Sequence, residues 1–189
     1  MMTTEQFIGL RKKKLKIMIK HKELKFEKYL KNKDIVREIG RITNDIDNYY
    51  SNEEILFIGV LNGCIPFMNQ ILSNSTNSYS YQFIQISSYL GTESGDLKLH
   101  LGLDEKYILN KNVVIVEDII DSGKSIKYLK KYISKMNPKS IKIASLLVKK
   151  ANIELCDWYG FKISDKFVIG FGLDLDGSFR YLKDIYKKV

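Results

Sequence analysis

Along the chain, short continuous apolar runs alternate with longer segments in which apolar side chains recur every three or four positions. A short apolar run rich in Val and Ile is typical of a buried strand, whereas the wider spacing is typical of an amphipathic helix. The patterns predict a first helix that begins at Asp34 as its N-cap, and later helices at 66–72 and 125–136. They predict strands at 55–60, 81–87, 97–101, 113–116, 141–148 and 167–171.

This order of elements predicts the fold class. Strands that alternate with helices favour an α/β fold, with a mostly parallel twisted sheet covered by helices on both faces. A length of 189 residues suits one globular domain, and the chain has neither an internal repeat nor a linker long enough to divide it. Residues 1–189 are therefore predicted to form a single domain.

The first thirty residues are rich in lysine and less clearly patterned. Leu15, Ile19, Phe26 and Leu30 fit one face of a helix, although loosely. The net charge of +9 favours anionic partners, which include nucleic acid, a membrane surface and phosphorylated small molecules, without choosing among them. We interpret the basic cluster at 11–16 as a solvated helix face, because runs of like charge usually are.

Cysteine usage and hydropathy bear on the compartment. Cys64 and Cys156 form neither a CxxC pair nor a disulfide framework, so two free thiols in a reducing cytosol are expected. The basic N-terminus lacks the apolar core of a secretory signal, and no apolar run approaches the length needed to span a bilayer. The sequence therefore predicts a cytoplasmic protein with no membrane partner.

Candidate chemistry is concentrated in residues 113–125, which read VVIVEDIIDSGKS. The predicted strand runs into two carboxylates, Glu117 and Asp118, and ligands of open α/β sheets bind beyond the carboxyl ends of strands. Residues 121–125 are small or hydroxyl-bearing and open a helix, where backbone N–H groups and the helix dipole attract phosphate. An ordinary strand–loop–helix with Asp121 or Ser122 as N-cap would explain one polar residue but not the whole set.

A second phosphate motif ends in the same way and has to be distinguished. Residues 123–125 read GKS, as in the P-loop pattern GxxxxGK[ST]. That pattern requires glycine at position 118, where this chain has Asp118, and an acid there would repel nucleotide phosphates. A P-loop NTPase is therefore disfavoured.

VVIVEDIIDSGKS resembles the ribose-5-phosphate signature of the type I phosphoribosyltransferases, and within them that of the hypoxanthine–guanine enzymes. The resemblance extends from about Ile35 to Leu182 and includes five blocks in the family's order. Besides 113–125, the blocks are a pyrophosphate loop with its helix at 58–68, the start of a mobile loop at 87–89, a base-recognition strand at 144–150, and a C-terminal hood at 165–174 with 179–180. It implies a core of about 35–150, with a small hood built from the N-terminal segment and 151–189.

The resemblance also implies which residues bind the substrates. Asp121 would be the catalytic general base near N7 of a purine. Contacts to phosphoribosyl pyrophosphate would come from Leu61, Asn62, Gly63, Ser88, Tyr89, Glu117, Asp118, Asp121, Ser122, Gly123, Lys124, Ser125 and Arg180. The purine site would consist of Lys149 at the 6-oxo group, Phe167 stacked on the ring, the backbone of Val168 at the exocyclic edge, and Asp174.

A magnesium cofactor is implied as well, with Glu117, Asp118 and Asp174 as its ligands. The implied reaction is magnesium-dependent transfer of a phosphoribosyl group to hypoxanthine or guanine, which gives IMP or GMP and pyrophosphate and serves purine salvage. The loop from Tyr89 to Gly102 would be a lid over this reaction. By the same resemblance the protein would be a homodimer or homotetramer, with no specific nucleic-acid partner.

Several features depart from the family pattern or leave alternatives open. Asn62 replaces the usual lysine, so the pyrophosphate loop would act through its backbone, with a cis peptide as in relatives. His21 and His100 are predicted to be structural or exposed, and Trp158 to pack. The alternatives are an enzyme that prefers xanthine, and a regulator of the same fold that binds nucleic acid. The simultaneous presence of Asp121, Asp174 and Arg180 argues against the regulator.

Overall fold

A computed structural model describes residues 18–21, 23–88 and 97–189. The strands are β1 (Met18–His21), β2 (Leu24–Leu30), β3 (Ile55–Leu61), β4 (Tyr79–Ser88), β5 (Leu97–Leu101), β6 (Asn112–Ile120), β7 (Ser140–Lys149), β8 (Trp158–Ile163), β9 (Val168–Ile169) and β10 (Ile185–Lys188). The α-helices are α1 (Asn32–Tyr50), α2 (Ile65–Asn74) and α3 (Lys124–Ser134). Two 3₁₀ segments, Glu105–Tyr107 and Lys150–Leu155, lie between them.

The main sheet has six strands in the order β5-β4-β3-β6-β7-β8. Every neighbouring pair from β4 to β8 is parallel, and only β5 pairs antiparallel, with β4. The predicted mostly parallel α/β fold is therefore confirmed. Because the connections between parallel strands must cross the sheet, all the carboxyl ends of these strands lie along one edge.

Alternating side chains of the central strands serve two cores. Phe57 on β3 and Val114 on β6 pack against α1 and α2, whereas their neighbours Ile58 and Ile115 pack against α3 on the other face. Strands buried on both sides have few polar positions, which explains why they were predicted as continuous apolar runs. None of the helices in the described part of the chain is both long and apolar enough to span a membrane.

A second, antiparallel sheet consists of the first two and the last two strands, in the order β1-β2-β10-β9. Phe26 lies fully buried in its small core together with Ile169 and Tyr186. The loose helical face predicted for the N-terminal segment is therefore wrong for Phe26 and Leu30, which lie in strand β2. Pairing with β10, more than 150 positions away, decides the conformation here, and no local pattern reports such a partner.

Other boundaries also differ from prediction. Helix α1 begins after Lys31, which is its N-cap, and Asp34 lies inside the first turn. The strand predicted at 167–171 is reduced to the two residues of β9, because Gly170 and Phe171 have positive φ angles. Strand β8 was not predicted. It contains Gly160, at which a Cβ would lie 2.7 Å from the carbonyl oxygen of Leu146.

Candidate active site

The acidic pair lies near the C-terminal end of strand β6 and not in the loop that follows the strand. The strand runs to Ile120, so that Glu117 and Asp118 are held on a rigid backbone and point to opposite faces of the sheet. Asp118 Oδ1 accepts a hydrogen bond of 2.8 Å from the N–H of Ile119. Oε2 of Glu117 is buried and has no hydrogen-bond partner within residues 18–21, 23–88 and 97–189.

Burial makes ionisation of both carboxyls unfavourable. It raises the pKa of Glu117 well above the usual value for glutamate, and the nearby charge of Asp118 raises it further. Burial also raises the pKa of Asp118, to about 6, although the N–H of Ile119 and the charge of Arg180 act in the opposite direction. These two carboxyls are desolvated, and one oxygen of Glu117 has no partner among the residues that the structure describes, so a bound cation would supply the positive charge that the site is missing.

The loop that follows β6 forms a small cradle. Gly123 has φ +75° and is the N-cap of α3, in place of the alternatives Asp121 and Ser122. Ser122 Oγ accepts a long hydrogen bond of 3.4 Å from the N–H of Lys124. A cavity of about 70 Å³ opens here, lined by Glu117, Ile119, Ile120, Asp121, Ser122, Gly123, Ser125 and Ile126. It contains the first N–H groups of a helix, which suit an anion.

A larger cavity of about 280 Å³ adjoins the cradle. Lys149 Nζ lies 2.5 Å from Asp121 Oδ1 within it, and the lysine side chain is largely buried, with 17% of its surface exposed. Phe167 is 45% exposed and lines the cavity, where it is accessible to a ligand. The lining residues are Asp118, Ile119, Asp121, Lys149, Asp165, Lys166, Phe167, Val168, Leu173 and Asp174. All four residues predicted for the base site line this cavity.

Arg180 stabilises the C-terminal loop between β9 and β10 through a hydrogen bond and an ion pair. Its guanidinium donates 2.6 Å to the carbonyl of Gly172 and lies 2.7 Å from Asp174 Oδ1. The other carboxylate oxygen of Asp174 accepts from the N–H of Gly177 at 2.7 Å. Arg180 and Asp174, which were predicted to act on the same phosphates, are therefore partners in this structure.

The loop after β3 meets the acidic strand and the C-terminal loop at one point. The peptide between Leu61 and Asn62 is cis, as the resemblance implies. A Cβ at Gly63 would overlap the carboxylate of Asp118, and a Cβ at Gly172 would overlap the carbonyl of Gly63. Three segments distant in sequence thus meet closely, through the carboxylate of Asp118 and the backbone of Gly63 and Gly172, whereas the side chain of Asn62 is exposed.

Some predicted residues are not brought into the site by the described structure. Tyr89 and the rest of 89–96 lie outside the described residues, as does the side chain of Ser88, so their predicted roles stay predictions. Trp158 packs against Tyr49 and Tyr50, as predicted. His100 is exposed and hydrogen-bonded to Ser87, and His21 packs against the ring of Phe179. Both predicted free thiols are unpaired.

The structure also reveals residues that the sequence did not indicate. Asp165 lines the larger cavity, 4.0 Å from Lys149. Asn152 donates a hydrogen bond of 2.5 Å to the carbonyl of Asp121. Gly172 makes the close approach to Gly63. Asp165 and Gly172 lie within the block at 165–174, for which roles were predicted at other positions, and Asn152 lies outside every block, so it is their spatial partners that identify them.

The predicted metal ligands do not form a complete metal site. Within the described part of the chain, no group of three or more His, Cys, Asp and Glu side chains is arranged to hold a metal ion. Asp118 nevertheless lies near enough to Asp174 for the charge of Asp174 to raise its pKa. This arrangement suits Mg²⁺, which is usually held by one or two carboxylates and completes its shell with water and substrate phosphates.

Known proteins resemble the chain over most of its length. The family model described as "Phosphoribosyl transferase domain" matches residues 25–176. A hypoxanthine phosphoribosyltransferase of Buchnera aphidicola is 38% identical over 185 residues, which cover 92% of this chain and 98% of that protein. A hypoxanthine-guanine phosphoribosyltransferase of Streptococcus pyogenes is 34% identical over 155 residues, with 79% and 85% covered.

Solved structures are similar in fold. A hypoxanthine-guanine phosphoribosyltransferase from Bacillus anthracis superposes with a TM-score of 0.80 at 31% identity and covers 86% of this chain and 98% of that chain. A hypoxanthine phosphoribosyltransferase from Trypanosoma cruzi, complexed with the product IMP, has a TM-score of 0.78 at 27% identity, with 89% and 92% covered.

Proposed function

The chain belongs to the phosphoribosyl transferase family, within which its relatives are hypoxanthine and hypoxanthine-guanine enzymes, and we propose that it transfers the 5-phosphoribosyl group of phosphoribosyl pyrophosphate to hypoxanthine or guanine. The products would be IMP or GMP and pyrophosphate, as in purine salvage. One observation carries the proposal: two cavities adjoin and share Ile119 and Asp121 as lining residues. One suits a planar base and the other a phosphate.

The larger cavity supports recognition of a 6-oxopurine. Lys149 ends inside it as a largely buried cation, which can donate to an oxo group. Phe167 offers an exposed ring face on which a purine can stack. The buried Val168 also lines the cavity, and we assign recognition of the exocyclic edge of the purine to its backbone. Together these groups favour hypoxanthine or guanine over adenine, which has no 6-oxo group.

The smaller cavity supports binding of the 5-phosphate. Its lining includes Ser122 and Ser125, whose hydroxyls can donate to phosphate oxygens. The positive φ of Gly123 turns the chain into α3, so that the first N–H groups of the helix lie at this cavity. Because the two cavities adjoin, a nucleotide can occupy both with its ribose beside Asp118 and Glu117.

The acidic pair fits a magnesium ion. A divalent cation there would offset the charge that burial makes unfavourable on Glu117 and Asp118 and would give a partner to the unsatisfied Oε2 of Glu117. Bound with pyrophosphate, the metal supplies charge neutralisation of a leaving group. We therefore propose that one or two of the carboxylates Glu117, Asp118 and Asp174 would hold Mg²⁺, with its remaining positions taken by water and by the substrate phosphates.

The reaction itself requires little covalent chemistry from the protein. The bond from ribose C1 to pyrophosphate breaks, the bond from C1 to N9 of the purine forms, and Asp121 accepts the proton that the purine ring releases. Lys149 holds the Asp121 carboxylate at 2.5 Å and so fixes its direction in the cavity. The backbone of 61–63, with Arg180, receives the departing pyrophosphate.

The test is direct incubation of the protein with phosphoribosyl pyrophosphate, Mg²⁺ and each of hypoxanthine, guanine, xanthine and adenine, followed by separation of nucleotide products. We expect IMP and GMP. Conversion of xanthine alone would favour the alternative specificity, and no product with any 6-oxopurine would overturn the proposal. The cytoplasmic location and the homo-oligomeric state stay predictions.

A further inference from the structure

We propose that Asn152 is a positioning residue for phosphate binding, because its side chain fixes the peptide between Asp121 and Ser122 so that the N–H of Ser122 is directed into the phosphate cradle. The proposal rests on the proposed function, since it concerns how the same site binds the 5-phosphate. Asn152 lies in the 3₁₀ segment Lys150–Leu155, between β7 and β8. Its amide nitrogen donates to the carbonyl oxygen of Asp121 at 2.5 Å.

Peptide geometry converts this contact into an orientation. The Asp121–Ser122 peptide is trans, so its carbonyl and its N–H point in opposite directions from one rigid plane. A carbonyl held toward Asn152 therefore directs the N–H of Ser122 to the opposite side of the loop. The cavity of about 70 Å³ is lined by Ser122 and Gly123 but not by Asn152, which is consistent with the cradle occupying that opposite side.

Packing of the same segment limits other conformations of the loop. A Cβ at Gly123 would overlap the side chain of Leu155 and lie 3.1 Å from Oδ1 of Asn152. The side chains of Asn152 and Leu155 thus pack closely against Gly123, where the chain enters α3. The 3₁₀ segment serves as a support for the cradle.

Residues 149–152 consequently contact both the side-chain carboxylate and the backbone carbonyl of Asp121. Lys149, at the end of β7, binds its carboxylate, and Asn152, three residues later, binds its carbonyl. Asp121 lines both cavities and Ser122 lines the smaller one, so in this proposal the carboxylate serves the base cavity and the next N–H serves the phosphate cradle. Loss of the Asn152 contact alone should impair phosphate binding and leave base binding intact.

The experiment compares Asn152→Asp and Asn152→Ala with the wild-type protein. The first variant keeps the shape of the side chain but cannot donate to a carbonyl, and the second removes the amide. Asn48→Ala, an exposed position on α1, is the matched control. Binding of IMP and of inosine, which lacks the phosphate, is measured by amide chemical shifts, and KM is measured for phosphoribosyl pyrophosphate and for hypoxanthine.

We expect both Asn152 variants to bind IMP about 10-fold or more weakly, the effect of one charge-assisted hydrogen bond. Inosine affinity and KM for hypoxanthine should be unchanged, and KM for phosphoribosyl pyrophosphate should rise. Equal losses for IMP and inosine would indicate general damage to the fold and overturn the proposal, as would unchanged IMP binding. Asn48→Ala should match the wild type throughout.

Failure of the proposed function is recognised separately. If the wild-type protein forms no nucleotide, the enzyme assignment falls, and ribose 5-phosphate becomes the probe of the cradle. The Ser122 amide resonance should then shift with ribose 5-phosphate in the wild type and much less in Asn152→Asp. An equal shift in both proteins would overturn the role of Asn152 by itself.

Discussion

Glu117 and Asp118 occupy positions on a buried strand at which apolar side chains would stabilise the fold better. Burial is the main cause that raises the pKa of Asp118 to about 6 and the pKa of Glu117 well above its usual value. A group with a raised acid pKa favours the native state only while it is protonated. Ionisation of either carboxyl destabilises the free protein, which is the expected consequence of a site prepared for a cation.

Asp118→Asn should therefore stabilise the protein while it reduces activity. The native state binds more protons than the unfolded chain between about pH 4, the usual range of aspartate, and about pH 6, so this carboxyl lowers the free energy of unfolding as pH rises through that window. The variant's gain over wild type should be about 2 kcal/mol larger at pH 8 than at pH 4. Denaturant unfolding without Mg²⁺ measures this.

The control for that comparison is Asp45→Asn, an exposed carboxylate paired with Arg41 on α1. Its effect on the free energy of unfolding should be small at both pH values, because surface ion pairs contribute little. A gain for Asp118→Asn that is the same at pH 4 and pH 8 would contradict the buried ionisation inferred for Asp118.

Asp121→Asn tests the general base. The amide keeps the shape of the side chain but does not accept a proton, so kcat should fall by about 10²-fold or more. Binding of IMP should change little, because the phosphate cradle is made by the following backbone. Turnover and IMP titration are measured side by side, with Asp45→Asn again as the control. Unchanged turnover would remove Asp121 from its assigned role.

At the level of elements, the site exists because two loops and the end of strand β6 meet closely at one edge of the sheet. The loop after β3 approaches Asp118 of β6 through Gly63 and approaches the C-terminal loop through Gly172. Gly172 has φ +96°, and its N–H donates to the carbonyl of Arg180 at 3.0 Å. A side chain at either glycine would separate the pyrophosphate loop from its supports.

A comparison of Gly172→Ala with Gly177→Ala distinguishes the effect of this close approach from the effect of the backbone conformation. Both glycines have positive φ, but a Cβ at Gly177 meets no atom within 4 Å, whereas one at Gly172 overlaps the carbonyl of Gly63. Each variant should lose about 1 kcal/mol of unfolding free energy from φ alone. Only Gly172→Ala should also lose about 10-fold or more in kcat/KM for phosphoribosyl pyrophosphate. Equal kinetics in the two variants would argue against the contact.

For the molecule as a whole, the antiparallel sheet joins both ends of the chain above the larger cavity. Phe26 of β2 lies fully buried and its ring centroid is 6.4 Å from that of Phe167, which lines the cavity. The N-terminal strand therefore supports the residue proposed to stack on the base. Asp184 strengthens the connection, because it accepts from the N–H of Asn32 at 2.8 Å and pairs with Lys28.

Phe26→Leu should weaken base binding although Phe26 does not line the cavity. The smaller side chain removes packing beneath Phe167, so the KM for hypoxanthine should rise. Phe57→Leu, at an equally buried position in the main sheet, is the control. Both variants should lose a similar unfolding free energy, about 1 kcal/mol or somewhat more. An equal effect on hypoxanthine KM in the two variants would mean that general stability, not support of Phe167, is responsible.

Much of the fold was predictable because the signals are local. The central strands β3 and β6 contain continuous apolar runs because they are buried on both faces, β7 is apolar at most of its buried positions, and α1 and α3 have one buried stripe each. The acidic pair, Asp121 and the glycine at 123 were recognisable for a similar reason. They lie within thirteen consecutive residues, 113–125, and their chemistry depends on their order.

Tertiary structure alone decided the rest. Strands β9 and β10 are short and β2 is mostly half-buried, and their conformation depends on one another across most of the chain. The pairing of Lys149 with Asp121, the contact of Asn152 with the loop before α3, and the meeting of Gly63, Gly172 and Asp118 all join segments distant in sequence. The periodicity of apolar residues indicates which face of an element is buried, but not which other element packs against that face. The contacts named above depend on the identity of that packing partner, which only the tertiary structure shows.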